Sequence, residues 1–448
     1  MPGRRTAHFL FVAIREVSVG MAQPPTFRFN PVQYATVFLS HLHTSMRICR
    51  VFTLLACVAV LLGSGRTVGA QAQEPSRTGL IEQAQAEKDK TLHPYPVSTG
   101  ERIMNKVEDI TVNGGLHWHP YFENAYRGGG FALGAGYMHH VSSYNLLDVR
   151  GSYSIRNYKR AEVEFMAPRM FNRRGSLSLL GGYREATEVG FYGIGTDTDK
   201  DDRANFAFDR WYGSALMTVR PTRRFLTLRG GLELTEWNTK PGEGTVPSVE
   251  EIYTPATLPG LGSRITYLHS QGMVGFDWRP AEDYARRGGF YGVTLHDYKD
   301  SDEAFGFQQV NYELVQHFPI LRETWAISLR GLIETTWLKG DQEIPYFMLP
   351  SLGGGSNLRG YSSWRFRDRN SLLLQGEWRI LVNRYMDTAF FYDAGKVTRL
   401  TADLDLDGLK HDFGFGVRFH TPFVTPLRID LAKSSEGLVL VFSNSAAF

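Results

Sequence analysis

Three aspartates at alternating positions are one group in this sequence that could bind a metal ion. Asp403, Asp405 and Asp407 lie in "DLDLDGLKHD" and are followed by Gly408, as in the first half of an EF-hand calcium loop. Such a loop needs a bidentate glutamate at its twelfth position, where this sequence has Gly414. We therefore interpret the segment as a solvated loop and not as a calcium site.

Histidines form the second group with metal-binding chemistry. His117 and His119 fall on one face of a predicted strand, and His139 and His140 follow, but the spacing supplies no third ligand. A Gly-x-Ser-x-Gly element and a recognisable catalytic triad are also missing from the sequence. We predict no enzymatic activity, no catalytic residue, no metal site and no other cofactor.

The charge balance argues against a nucleic-acid partner. The 49 Lys and Arg residues nearly equal the 46 Asp and Glu residues, whereas phosphate-backbone binding needs a clustered excess of basic side chains.

An export signal is predicted near the start of the chain. Residues 46–70, "MRICRVFTLLACVAVLLGSGRTVGA", combine basic residues, a short apolar run and small residues before a cleavage site, which is typical of a signal peptide. The run is too short to span a membrane comfortably, and it continues past Cys57, which disfavours an anchor or a lipoprotein site. Residues 1–45 are interpreted as an extension from a mis-assigned start codon. Because Cys49 and Cys57 lie in the signal, the exported chain would contain no disulfide.

The next segment, 71–110, is polar and reads as two short helices joined by "HPYPV". We expect it to lie in the periplasm, where it would either plug the barrel described next or dock a partner.

From residue 111 to 448 the pattern changes to the period of a β-strand. In "LTLRGGLELTEW" the leucines at positions 226, 228, 232 and 234 share one face, and polar residues share the other. In "DFGFGVRF", Phe413 and Phe415 lie opposite Arg418. Strands of about ten residues with one charged face are typical of a transmembrane barrel with a wet lumen, although a soluble sandwich also alternates.

The connections between the strands alternate in length. Residues 220–224 and 381–385 form tight turns, whereas 191–205, 239–262 and 338–370 are long. Short periplasmic turns and long outer loops produce this alternation, and aromatic residues near strand ends fit a membrane girdle. We predict an all-β fold, a transmembrane antiparallel β-barrel of 16 strands in the bacterial outer membrane, preceded by the short helical segment.

One long connection contains an unusual motif. "SLGGGSNLRGYSSWRFRDRN", 351–370, holds three consecutive glycines and four arginines, and is followed by "LLLQGEWRIL" and "TAFFYDAGKV". Together these stretches resemble the barrel of the BamA/TamA superfamily, the bacterial surface-antigen domain. The matching motif residues are Arg359, Gly360, Tyr361, Glu377, Phe391, Asp393 and Gly395.

The resemblance implies that the loop folds back into the lumen and that Arg359 meets carboxylates there. Periodicity independently places Glu377 opposite Trp378, on the polar face. An arginine can fork onto a carboxylate with two bonds, and Gly360 permits a close backbone approach. Arg359 would therefore latch the loop to the barrel through Glu377 and Asp393.

The resemblance also implies a function in assembling or exporting outer-membrane proteins, with unfolded proteins as substrates and outer-membrane lipid and lipopolysaccharide as surroundings. The seam of the barrel would include the strand in 437–448, whose marker residues are Leu438, Leu440, Phe442 and Phe448. One departure is that 71–110 is too short for a substrate-handling POTRA domain of the kind that such insertases carry. A passive pore or structural barrel is therefore the alternative, and the oligomeric state stays open.

Overall fold

The computed structural model describes residues 77–91, 99–112, 117–222 and 225–448. The predicted extension 1–45 and signal peptide 46–70 lie outside this part of the chain. Helix α1 (Arg77–Thr91) belongs to one compact unit, Met1–Tyr95, and all other described elements, from helix α2 (Thr99–Val112) onward, belong to a second, Pro96–Phe448. Neither helix, nor any other helix in the described ranges, has the length and apolarity to cross a membrane.

Sixteen strands form one antiparallel sheet, so the predicted all-β fold and the strand number are confirmed. They are β1 (Trp118–Tyr121), β2 (Ala132–His140), β3 (Leu146–Ser154), β4 (Lys159–Arg169), β5 (Gly175–Phe191), β6 (Ala204–Val219), β7 (Leu226–Pro241), β8 (Arg264–Asp277), β9 (Gly288–Asp300), β10 (Phe307–Ile320), β11 (Trp325–Leu338), β14 (Asn370–Asn383), β15 (Met386–Thr398), β16 (Lys410–Phe419), β17 (Leu427–Ser434) and β18 (Gly437–Ser443). The intervening β12 (Ser351–Leu352) and β13 (Phe366–Arg367) pair only with each other. Short helical or left-handed turns occur at Met170–Arg173, Val249–Ile252, Tyr346–Met348 and Thr401–Asp403.

The sheet exposes its apolar face and buries its polar face, which is the reverse of the arrangement in a soluble protein. In β7, Leu234 is 61% exposed, whereas its neighbour Thr235 is 1% exposed. The same inversion occurs in β15, where Tyr392 is exposed and Asp393 is buried. A soluble sandwich would bury the leucine, because burying apolar surface is what stabilises it. An apolar outer face around a polar, packed interior is the arrangement of a barrel in lipid.

Helix α2 contacts one of the tight turns. Arg384 and Tyr385, between β14 and β15, both donate hydrogen bonds to the Glu101 carboxylate at 3.3 Å, and the Tyr385 hydroxyl oxygen also lies 3.3 Å from Asn105 Oδ1. The sheet order places this turn at the same end as the connections β6–β7 and β8–β9.

At that end, residues 278–287 form a long connection between β8 and β9 and pack under the polar face of distant strands. Arg286 donates to Asp387 Oδ2 at 2.6 Å, and Arg379 donates to the same oxygen at 3.1 Å. The Tyr284 ring stacks on His420 with centroids 3.9 Å apart, and its hydroxyl donates to Asp387 at 3.2 Å. We call residues 278–287 the strap, because they join β9 to strands four or more places away in the sheet.

The strap also binds the β16–β17 connection and the residues that follow β18. The Asp283 carboxylate accepts from the backbone N–H groups of Thr425, at 2.6 Å, and Ala446, at 2.9 Å. Burial raises the pKa of Asp283 above its usual value, and these two N–H donors counteract part of that rise. The strand predicted to run to Phe448 ends at Ser443, and the Phe448 ring stacks at 6.3 Å on His317. A backbone turned toward Asp283 cannot continue the β17–β18 ladder.

Candidate functional site around Arg359

Residues 339–369 connect β11 to β14 and fold onto the polar face of the sheet. Pairing of Ser351 with Arg367 and of Leu352 with Phe366 closes a loop that presents Arg359. Gly353 has a φ of 109°, which an L side chain rarely adopts, and this glycine lets the chain turn at the base of the loop. We call residues 339–369 the inserted segment. A small apolar cluster supports it, comprising Leu352, Leu358, Tyr361, Phe366, Leu373 and Val397.

Arg359 is 0% exposed and binds carboxylates from three strands. Its Nε and Nη2 atoms donate to the two oxygens of Asp393, on β15, at 2.6 and 2.7 Å. Its Nη1 atom donates to Glu377 Oε1, on β14, at 2.6 Å and to Asp430 Oδ2, on β17, at 3.3 Å. The guanidinium carbon lies 3.6 Å from the centroid of the Phe391 ring. The fork onto Asp393 is the bidentate geometry in which arginine binds carboxylate most strongly.

Side chains alternate between the two faces of each strand, and this explains why these acids point to the face on which Arg359 lies. Glu377 is flanked by Trp378, which is exposed on the apolar face, and Asp393 is flanked by Tyr392 in the same way. Burial alone would lower the pKa of Arg359, but the carboxylates of Asp393 and Glu377 hold it well above its usual value. Arg359 is therefore a permanent cation at this site.

Two glycines make room for the inserted segment. A Cβ atom added at Gly360 would lie 2.6 Å from Asp412 Cβ and 3.0 Å from Ser434 Cβ. A Cβ atom added at Gly395 would lie 2.9 Å from Leu352 Cδ1, so the missing side chain lets Leu352 pack against β15. The Gly360 carbonyl accepts a hydrogen bond from Ser434 Oγ at 2.7 Å.

Comparison with models of known protein families shows to which family the chain belongs. A model described as the Omp85 superfamily domain matches residues 145–437. The chain belongs to the Omp85 superfamily. It is an outer-membrane β-barrel, in agreement with the resemblance that the motif around Arg359 indicated.

The fold of this Omp85 barrel is similar to that of a solved structure. The crystal structure of BamA from Haemophilus ducreyi lacking POTRA domains 1–3 is 15% identical, with a TM-score of 0.53, over 73% of this chain and 68% of that one. This likeness confirms the predicted barrel architecture. CdiB from Acinetobacter baumannii is 9% identical, with a TM-score of 0.44, over 70% of this chain and 56% of that one. No curated protein sequence matches the chain.

Sequence reasoning overlooked part of the charge network in this Omp85 barrel. Arg418 donates to Glu377 Oε1 at 2.5 Å, and Arg428 Nε lies 3.3 Å from Asp430 Oδ2. Arg428 also donates to the carbonyl of Gly355, in the inserted segment. Three arginines thus face three carboxylates. The alternation had placed Arg418 on the polar face, but nothing in the local sequence indicated that it shares Glu377 with Arg359.

The remaining predicted residues occupy two places. The Tyr361 hydroxyl lies 3.2 Å from the carbonyl oxygen of His411, to which it donates, and 3.3 Å from Ser435 Oγ. Leu438, Leu440 and Phe442 lie on the exposed apolar face of β18 and take no part in the Arg359 network.

We predict that Gly360→Ala destabilises the barrel by about 1–3 kcal/mol, because the added methyl group overpacks against Asp412 and Ser434. The free energy of unfolding in urea, followed by the shift between folded and unfolded bands on unheated gels, measures this. Gly355→Ala is the matched control in the same segment, since its Cβ would meet only Val441, at 3.7 Å. Equal stability of the two variants would contradict the close packing inferred at Gly360.

Proposed function

We propose that this barrel assembles or exports outer-membrane proteins and that Arg359 latches the inserted segment within the lumen. The observation that carries the proposal is the buried arginine in an Omp85 barrel, which joins the inserted segment to β14, β15 and β17 at once. Such a fork fixes the position of the inserted segment relative to the strands. The segment would then brace one wall of the barrel while another part opens.

The seam between the first and last strands is the part that we expect to open. β1, with Trp118–Tyr121, and β18, with Gly437–Ser443, are the two shortest of the sixteen strands. Fewer ladder hydrogen bonds hold short strands, and an exposed strand edge can pair with an incoming strand. The edge of β18 would template a substrate strand, while lipid contacts the exposed face of Leu438, Leu440 and Phe442. Unfolded outer-membrane proteins are the substrates in this proposal, and lipid and lipopolysaccharide surround the barrel.

The proposal is tested by deleting the gene and quantifying the outer-membrane proteome. We expect several-fold loss of a defined set of other barrels, restored by the wild-type gene and not by one carrying Arg359→Ala. Purified barrel in liposomes should also speed the folding of a urea-unfolded barrel protein relative to empty liposomes. An unchanged proteome together with an unchanged folding rate would refute assembly activity.

The second candidate is a passive pore or structural barrel. It is favoured by the short polar segment 71–110, which stands where the resemblance implies substrate-handling domains. Planar-bilayer recordings separate the candidates, because a pore would give a large ohmic conductance, whereas an occupied lumen would conduct little. The Arg359 network would in that case act only in the stability of the barrel.

A further inference from the structure

A small polar cavity lies among the long connections, apart from the Arg359 network. It has a volume of about 190 Å³. Four regions that are distant in sequence line it, one of them through Gly128 of the β1–β2 connection. The charged and hydroxyl side chains in its lining are Arg156, Glu188, Tyr192, Arg203, Ser362 and Ser363, with Trp364 at its wall. Arg156 belongs to the β3–β4 connection, Arg203 to the β5–β6 connection, and the serines to the inserted segment.

The cavity has more positive than negative charge. Arg203 donates to Glu188 Oε1 at 3.1 Å, and Glu188 is the only acid lining the cavity in the described part of the chain. Arg203 Nε is buried and has no hydrogen-bond partner among the described residues. Arg156 forms no ion pair with any residue in the described ranges. The cavity surface therefore carries one carboxylate and two guanidinium groups.

Two further arginines lie behind the cavity wall. The guanidinium carbons of Arg127 and Arg367 lie 4.2 and 4.8 Å from the centroid of the Trp364 ring, and Trp364 Nε1 donates to the Arg127 carbonyl at 2.8 Å. Arg127 Nη2 donates to a neutral partner, Ser351 Oγ, at 3.1 Å, and the Glu334 carboxyl is the acid that acts on the charge of Arg127. These two cations add to the positive potential at the wall formed by Trp364.

Arg367 is the most unusual of the four arginines. It is 1% exposed, and its Nε, Nη1 and Nη2 atoms have no hydrogen-bond partner among the residues that the structure describes. Burial, and then the charge of Arg127, lower the pKa of Arg367 to about 9, and no carboxylate opposes this effect. A buried cation without a counter-charge is costly, so a negative charge nearby would stabilise the fold.

We propose that this cavity binds a phosphate group, presented either by the headgroup of a phosphorylated outer-membrane lipid or by free inorganic phosphate. Guanidinium groups bind phosphate oxygens with paired, charge-assisted hydrogen bonds, and serine hydroxyls supply further donors. Glu188 remains bound to Arg203, so the phosphate would lie on the side of Arg156, Ser362 and Ser363. Arg156 would contact the phosphate directly, and the charges of Arg127 and Arg367 would act on it through the wall formed by Trp364. Its presence would in turn reduce the cost of burying Arg367.

The test is calorimetric titration of the purified full barrel, in neutral detergent, with inorganic phosphate against a chloride blank of equal ionic strength. We expect saturable binding at one site, weakened about tenfold or more in the double variant Arg156→Gln/Arg203→Gln. Arg264→Gln, which replaces an exposed arginine at the start of β8, should bind as the wild type does. Absence of saturable binding, or equal binding by the double variant, would overturn the proposal.

A second pair of variants covers the case in which the double variant does not fold. Ser362 is exposed, so Ser362→Glu should fold while its carboxylate repels phosphate, and Ser362→Gln should retain binding. Equal affinity of this pair would count against the site. Competition by lipid A in dodecyl maltoside micelles, but not by dephosphorylated lipid A, would identify the lipid headgroup as the source. Phosphate binding without that competition would identify free phosphate, and neither result depends on assembly activity.

Discussion

Replacing Arg359 with alanine is expected to lower the free energy of unfolding of the barrel by about 3–5 kcal/mol, the usual cost of removing one partner from a buried ion pair. Asp393 loses both of its short bonds, and Glu377 and Asp430 each lose one. Arg418 and Arg428 remain beside Glu377 and Asp430, so the uncompensated charge falls mainly on Asp393. Urea unfolding in lipid vesicles and the amount of folded barrel in cells measure the effect.

Two further variants show whether the fork or only the charge matters. Arg359→Lys keeps the charge but loses the planar fork, so it should have intermediate stability. Arg264→Ala removes an exposed arginine whose nearest carboxylate is 3.8 Å away, and it should change stability by less than about 1 kcal/mol. If Arg359→Ala behaved like Arg264→Ala, the role of Arg359 as a latch would be refuted.

Replacing Asp387 with alanine is expected to release the strap and cost a similar amount, about 3–5 kcal/mol. Asp387 is 0% exposed and is the shared partner of Arg286, Arg379 and His420. Without it two buried arginines lose their carboxylate, although Arg286 retains the carbonyls of Glu323 and Thr324.

Limited trypsin digestion measures release of the strap directly, because Arg286 and Arg287 lie within it. In the wild type Arg286 is buried, so cleavage after it should be slow; the Asp387→Ala variant should be cut there much faster. Glu282→Gln is the matched control, since this acid of the same strap forms only an exposed pair with Arg220. Equal cleavage rates in the wild type and Asp387→Ala would show that Asp387 does not hold the strap.

The strands were predictable because their signal is local. Alternation at a period of two fixes which side chains share a face, and the exposed Leu234 beside the buried Thr235 follows from it directly. Alternation alone does not show which face contacts water, since a soluble sandwich has the same alternation. The length of the strands and the alternation of short and long connections favour a barrel whose apolar outer face contacts lipid and not water.

The residues of the candidate site came partly from a motif. The resemblance identifies Arg359, Glu377 and Asp393, and alternation places the two acids on the polar face. Phe448 shows the limit of this reasoning, because an apolar residue in phase with a strand need not belong to that strand. The contact of Ala446 with Asp283, across the barrel end, draws the chain away from the sheet instead.

By itself, therefore, the sequence determined the class of fold, the faces of the strands and the segment that carries the buried arginine. The tertiary structure alone decided that Asp430, Arg418 and Arg428 complete its network and that Asp387 binds the strap. It also decided that the guanidinium of Arg367 is buried without a hydrogen-bond partner among the described residues. The physical reason is that periodicity fixes a direction for each side chain, but not its height along the barrel. Height depends on the register of every intervening strand pair, and a shift of one residue turns a side chain to the other face.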